Sequence, residues 1–295
     1  MDLQQYLNEK KSLVDRALDR FLPPEDAEPT IIHKAMRYSA MDGGKRIRPV
    51  LTIATAEALN DNTDNVMPVA CAIEMIHAFS LIHDDLPCMD DDDLRRGKPT
   101  SHKVFGEAVA LLAGDALFAF AFETISRTPK TVSADVVARV IALIASASGT
   151  SGMVGGQILD LMAEGKETNI KQVQLIHQRK TGALLLASVL AGAEIAGANS
   201  EEMSALTKYG ENIGLSFQII DDILDIEGEE TIIGKKTGAD AKLKKATYPA
   251  AIGLERSKVL AKEAADSAVQ VVTQTLGHRG ARLVEIANFI VGRKV

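Results

Sequence analysis

Apolar residues return every three or four positions along most of this 295-residue chain, and that period limits its fold more than any other feature. Val66, Val69, Ile73, Ile76, Phe79 and Ile82 trace one helix face that runs straight into Asp84. The same spacing predicts helices near 9–21, 32–41, 50–59, 104–125, 134–147, 173–196, 203–226 and 254–276. Pro23-Pro24, Gly43-Gly44, Pro129 and the segment 228–238 separate them as loops. No convincing pair of alternating strands stands out, nor any repeat with a period of 20–50 residues. The expectation is an all-α fold in a single domain over residues 1–295. Aromatic residues are 4% of the chain and tryptophan is absent, so small aliphatic side chains must carry the packing.

A formal charge of −7 argues against a protein that lives on nucleic acid, which needs a broad basic surface. Cys71 and Cys88 are the only cysteines, too few for a disulfide framework. The first residues lack a basic flank and an apolar run, so no signal peptide is read there. The longest apolar stretches, near 111–122 and 183–193, are short or are broken by Gly114, Asp115 and Glu194. Neither approaches the roughly 20 apolar residues of a membrane span. We therefore expect a cytoplasmic enzyme without an integral membrane segment.

Two acidic motifs stand out. In the first, His83-Asp84-Asp85-Leu86-Pro87-Cys88-Met89-Asp90-Asp91-Asp92-Asp93, aspartates gather at the C-terminal end of an apolar helix, where the macrodipole disfavours them. Pro87 then interrupts the helix. In the second, Phe217-Gln218-Ile219-Ile220-Asp221-Asp222-Ile223-Leu224-Asp225, Asp221 and Asp225 share a helix face, with Asp222 to the side. Such clusters are unfavourable unless cations neutralise them. Hard oxygen donors suit magnesium, which keeps waters and shares its sphere with substrate phosphates. An EF-hand is excluded, because no aspartate of the first motif has both glycine at the sixth and glutamate at the twelfth loop position.

Basic residues follow closely. Arg95-Arg96-Gly97-Lys98 adjoins the first motif and offers guanidinium forks for phosphate oxygens. Gly43-Gly44-Lys45-Arg46-Ile47-Arg48-Pro49 precedes a helix with no acidic cluster beside it, which suits an anion held without metal. Lys180 lies in Arg179-Lys180-Thr181-Gly182, and Lys235 and Lys245 lie in the loop between residues 234 and 249; taken alone they read as solvated charges. His77, on an apolar helix two turns before Asp84, reads first as a packed residue.

Taken in order, these motifs resemble the short-chain trans-prenyl diphosphate synthases, most closely the bacterial farnesyl diphosphate synthases. Gly155-Gly156-Gln157-Ile158-Leu159-Asp160-Leu161 and Lys245-Ala246-Thr247-Tyr248-Pro249 belong to the same ordered set, which spans nearly the whole chain. The resemblance implies a helical bundle around a deep central cavity, working as a homodimer on isopentenyl diphosphate and allylic diphosphates. It implies that Asp84, Asp85, Asp90, Asp221 and Asp225 hold more than one Mg2+, directly or through water. Arg95, Lys180, Thr181, Gln218, Lys235 and Lys245 would contact the allylic diphosphate or its ionised fragment. Lys45, Arg48, His77 and Arg96, with the Gly44 backbone, would hold isopentenyl diphosphate. Catalysis would then rest on Asp84, Asp85, Asp90, Arg95, Lys180, Asp221 and Lys235.

Phe79, five residues before Asp84 and followed by the small Ser80, occupies a position that resembles the family's chain-length gate, where ordinary core packing is the alternative. A bulky side chain there predicts the fifteen-carbon product, farnesyl diphosphate. The four residues between Asp85 and Asp90 occur equally in plant-type geranylgeranyl diphosphate synthases, so a twenty-carbon product stays open. A terpene cyclase needs no second diphosphate site, which Gly43–Pro49 with Arg96 supplies. A non-catalytic subunit of a heteromeric synthase should have lost metal-binding aspartates, and both motifs are intact. The segment 228–238 reads as a lid, and Arg293-Lys294 as a basic end that helps close the site.

Overall fold

The computed structural model describes residues 1–60, 62–166, 168–227 and 245–292. It is 78% helical with almost no sheet, which makes the chain all-α as the period required. The chain packs as two compact units, Met1–Ile53 with Asn62–Val137, and Ala54–Asp61 with Ala138–Val295.

The first unit holds α1 (Leu3–Phe21), α2 (Thr30–Ala40), the start of α3 (Ile47–Ala58), α4 (Thr63–Asp84), α5 (Ser101–Phe105) and α6 (Glu107–Ser126). α1 opens with a capping box in which the Asp2 carboxylate accepts from the Gln5 amide at 2.8 Å. α4 is capped by Asn62, whose side chain accepts from the Asp64 amide at 3.0 Å. It is apolar on all sides, and Val69, Ile73, Met75 and Ile76 are wholly buried. α6 packs closely on it through small residues: Ala110, Ala113, Gly114 and Ala121 are buried. A Cβ on Gly114 would lie 2.4 Å from the His83 ring, so glycine is what lets His83 fit there. The predicted helix 104–125 is broken at Gly106, whose φ of +84° ends α5 and starts α6.

The second unit holds most of α7 (Ala134–Ser148), α8 (Met153–Ala163), α9 (Ile170–His177), a π-helical turn (Gln178–Gly182), α10 (Ala183–Ile195) and α11 (Ser200–Glu227). It closes with α12 (Tyr248–Ile252), α13 (Leu254–Leu276) and α14 (Ala281–Val291). α11 packs most extensively against α13 and α10. The buried Tyr209 hydroxyl donates to the Leu283 carbonyl at 2.8 Å, tying α11 to α14. Around Asp222 the core is Val173, Ile176, Ile219, Ile223 and Tyr248. The spacing did not single out α8, α12 and α14 as helices, and the span 173–196 turns out to be three segments.

Three stretches are long and apolar enough to cross a membrane by length and composition, although only broken apolar runs were read in the sequence: Thr63–Asp84, Glu107–Ser126 and Ala134–Ala163. α4 spends its apolar surface inside the first unit. The third stretch is interrupted by the turn at residues 149–152.

Candidate active site

In the first unit two short elements are stitched together. Leu94–Arg95 and Lys98–Pro99 form a hairpin with Arg95 paired to Lys98, so Arg96-Gly97 is a two-residue turn. Both turn residues have positive φ, +52° and +79°, the type I′ geometry that matches strand twist. The turn aims Arg96 at the glycine loop: its Nη1 donates to the Gly43 carbonyl at 3.0 Å. A Cβ on Gly44, where φ is +91°, would strike that guanidinium at 2.7 Å. Lys98 pairs with Asp42 at 2.8 Å across the same seam.

Arg46 anchors the loop from below. Its side chain is buried, donating to Asp15 at 2.9 Å, to Glu74 at 2.7 Å and to the Ala40 carbonyl at 2.9 Å. That anchor carries Lys45, which is exposed, and Arg48 at the start of α3. His77 feels Arg48, Arg96, Arg95 and Arg46 together; burial and then these cations push its pKa well below the usual value, so the ring is neutral. Of the residues assigned to isopentenyl diphosphate, namely Gly44, Lys45, Arg48, His77 and Arg96, Arg96 lies against Gly44, and His77 is within electrostatic reach of Arg48 and Arg96. Arg46, which carried no assignment, is what holds their loop; the reading had no signal for it beyond its place between Lys45 and Arg48.

The first aspartate motif divides its carboxylates. Asp85 is buried and takes Arg95 closely, its Oδ1 lying 2.5 Å from Nη2 and 2.7 Å from Nε and its Oδ2 accepting from Nε at 2.9 Å. Burial opposes the Arg95 charge, but the Asp85 hydrogen bond and the charges of Asp85, Asp92 and Asp84 together outweigh it and raise the pKa. Asp92 reaches Arg95 at 3.4 Å, and Asp93 pairs with Lys103 at 2.6 Å. The chain folds back after Pro87 so that the Asp90 amide donates to the Asp84 carbonyl at 2.9 Å. That bond caps α4 and brings Asp84 and Asp90 alongside each other. One turn earlier Phe79 rests on His83 and on Phe118 of α6, with ring centroids 4.7 and 4.9 Å away, and Phe118 continues to Phe122 at 5.3 Å. The Ser80 hydroxyl is satisfied within its own helix by the His77 carbonyl at 2.9 Å.

In the second unit the π turn widens the helix at Arg179-Lys180-Thr181, a distortion common at functional sites. Gly156 makes room for it: a Cβ there would meet the Lys180 amide nitrogen at 2.1 Å. One turn further along α8, the buried Asp160 holds the Lys180 ammonium at 2.6 Å. Asp160 stood in the quoted glycine motif without an assigned role; a carboxylate four residues after Gly156 is the signal that was available. On α11, Asp221 and Asp225 lie on one face, while Asp222 is buried and faces inward. Asp222 accepts from the Tyr248 amide at 2.8 Å and from the Gln218 side chain at 2.9 Å. Gln218, assigned to substrate, therefore gives its Nε2 to Asp222. The His177 ring lies tilted against Tyr248, with centroids 5.3 Å apart, and burial drives its pKa down to about 4. Thr181 and Lys245 are partly exposed. Lys235, the segment 228–238 and Arg293-Lys294 lie outside the described residues.

Among the described residues no three acidic, histidine or cysteine side chains form a ready cage for an ion. A hard cation that completes its sphere with water and phosphate does not require one. Asp84 and Asp90, whose backbones meet, and the i, i+4 pair Asp221 and Asp225 carry carboxylate oxygens of the kind it takes.

The family model described as Polyprenyl synthetase matches residues 29–278. The chain is 48% identical to a geranylgeranyl diphosphate synthase of Cyanophora paradoxa, over 99% of this chain and 97% of that one. It is 49% identical to a farnesyl diphosphate synthase of Geobacillus stearothermophilus, over 88% and 87%. The crystal structure of an FPP/GFPP synthase from Zymomonas mobilis superposes with a TM-score of 0.87 at 38% identity, covering 98% of this chain and 99% of that one. The all-α fold is therefore that of the isoprenoid synthases. The chain belongs to the polyprenyl synthetase family, and it is as a prenyltransferase acting on isopentenyl and allylic diphosphates that its residues are to be understood.

Proposed function

We propose that this chain joins isopentenyl diphosphate head-to-tail to dimethylallyl and then geranyl diphosphate, with magnesium, and releases farnesyl diphosphate. Both units are read as parts of one synthase domain. The observation that carries the fifteen-carbon product is Phe79, braced by Phe118 about 7.5 Å along the helix axis from Asp84. A side chain fixed there limits an apolar tail that grows away from the aspartates. Asp84, Asp90, Asp221 and Asp225 would hold the metal, with Asp85 contributing through water while it positions Arg95. Magnesium supplies charge neutralisation of the departing diphosphate.

This chain's residues do the remainder. Arg95 and Lys180 are held in place by Asp85 and Asp160, and they neutralise the allylic diphosphate as its carbon–oxygen bond breaks. Lys235, Thr181, Gln218 and Lys245 are assigned to the same diphosphate. Lys45, Arg48, His77, Arg96 and the Gly44 backbone hold isopentenyl diphosphate, and the neutral His77 donates a hydrogen bond without adding charge. The double bond of that substrate attacks the allylic cation, and loss of a proton restores a double bond. No dedicated base stands out, and the released diphosphate serves as acceptor.

A twenty-carbon product is the second reading, favoured by the 48% identity to a geranylgeranyl diphosphate synthase. Product analysis of the purified chain with isopentenyl and dimethylallyl diphosphates, with magnesium and with EDTA, tests both. Mainly fifteen-carbon product, lost in EDTA and lengthened by Phe79→Ala, is expected. Mainly twenty-carbon product refutes the farnesyl assignment, and an unchanged distribution in Phe79→Ala refutes the gate. No elongation points to a cyclase or a partner-dependent subunit.

The homodimer rests on α6, whose Leu111 and Leu112 are 44% and 54% exposed beside Ala108 and Ala119. A second copy is the proposed cover, in a cytoplasmic enzyme without a membrane span. Leu112→Lys should convert a dimer of about twice 31.6 kDa to monomer in sedimentation; an unchanged mass would refute this face as the interface.

A further inference from the structure

A cleft of the first unit lies at the opposite end of α4 from the aspartates, about 25 Å from Asp84 by the rise from Met67. Its volume is about 670 Å³, within the range of small-molecule sites. The last turns of α1, the first turns of α4 and the residues after α6 form its walls. These walls are braced. Arg37 ties the end of α1 through Asp19 and the Leu22 and Pro23 carbonyls, and Thr131 donates to Asn65 at 2.8 Å.

Five charged residues line the cleft, and most are already matched. Asp19 pairs with Arg37, and Arg127 pairs with Glu123 at 2.6 Å. Asp64 lies in the first turn of α4, where the helix dipole favours a carboxylate. Arg16 and Arg20 are left, exposed one turn apart on one face of α1, and neither has an ion-pair partner among the described residues. Like charges at that spacing repel. Two guanidinium forks whose Cβ atoms are about 5–6 Å apart can share the oxygens of one phosphate group. Beside them the lining is apolar, with Leu13, Phe21, Met67 and Pro129.

We propose that this cleft is a second ligand site, which binds an amphiphilic phosphate ester. The head lies between Arg16 and Arg20, and the tail covers Leu13, Phe21 and Met67. Prenyl phosphates and straight-chain alkyl phosphates share this chemistry. Nothing in the site requires magnesium, which separates it from the aspartate motifs.

The test is photolabelling of the full chain in EDTA with a benzophenone-bearing farnesyl phosphate, followed by peptide mapping. Labelling within residues 13–21 or 63–68 is expected, and Arg16→Gln with Arg20→Gln should reduce it at least about tenfold, the equivalent of one lost charge-assisted contact. Prenyl transfer should be unchanged in that double variant, which also shows that it folds. Competition by farnesyl phosphate or dodecyl phosphate upholds the site, and the stronger competitor identifies the tail. Absence of label there, label that persists in the double variant, or equal competition by inorganic phosphate would overturn the proposal. Because labelling is read without turnover, failure of the prenyltransferase assay leaves this result independent.

Discussion

Glu74→Gln isolates the anchor under the glycine loop. The Arg46 and Glu74 side chains are 1% and 4% exposed and 2.7 Å apart, on a guanidinium that also meets Asp15 and the Ala40 carbonyl. Burial opposes the Arg46 charge, yet Glu74 and Asp15 outweigh it and hold the pKa above its usual value. The guanidinium is thus charged, and removing the Glu74 carboxylate leaves that buried charge less compensated, at a cost of about 3–5 kcal/mol. Glutamine keeps an acceptor in place and Asp15 remains, so the lower end, about 3 kcal/mol, is expected. Arg46 also has φ of +51° between Lys45 and Arg48, so loosening it displaces the loop. A misplacement of that kind should raise KM for isopentenyl diphosphate about ten- to a hundredfold. Urea unfolding and saturation curves at fixed allylic substrate measure the two effects. Stability within about 0.5 kcal/mol of the native chain, with KM unchanged, would refute the reasoning. Replacing both partners, Arg46→Leu with Glu74→Leu, should recover part of the stability but not KM.

Two further outcomes follow from the second unit. Gly156→Ala puts a methyl 2.1 Å from a backbone nitrogen of the π turn, so α8 must shift and carry Asp160 with it. A loss of about 1–3 kcal/mol in thermal or urea unfolding is expected, with kcat reduced more than KM for isopentenyl diphosphate; native-like kcat would count against the contact. His177 is held neutral, with its pKa lowered from 6.5 to about 4 by burial. The unfolded chain then binds the proton first, so stability is full above pH 6.5 and declines as pH falls toward 4, by up to about 3 kcal/mol. His177→Gln should flatten that slope in unfolding curves taken from pH 7 to 4.5, and an unchanged slope would exclude this residue as its source.

The parts of the fold that sequence alone revealed are those whose period is uninterrupted. α4, α11 and α13 were readable because apolar residues return on schedule from end to end. Gly106 was hidden inside a continuous apolar run, and only its positive φ separates α5 from α6. The π turn escaped for a related reason: one extra residue per turn over residues 178–182 hardly disturbs a pattern averaged across 173–196. Asp160 and Arg46 were missed because a role set by tertiary contact has no period.

The aspartate doublets carry a more general argument. Successive residues on a helix point about 100° apart, so two adjacent carboxylates cannot both face the same ligand at equal depth. In both motifs the second member of the doublet is the inward one. Asp85 is buried against Arg95, and Asp222 is buried against Tyr248 and Gln218. Asp85, expected beside Asp84 as a metal ligand directly or through water, is therefore placed differently from it, and Asp222 lies to the side as its position on the helix requires. The inward aspartate also has work to do: it fixes the direction of a neighbouring group, the Arg95 fork in one unit and the Tyr248 backbone in the other. The outward pairs, Asp84 with Asp90 and Asp221 with Asp225, then come from residues that are not sequence neighbours. One is brought together by a chain reversal at Pro87, the other by a full helical turn.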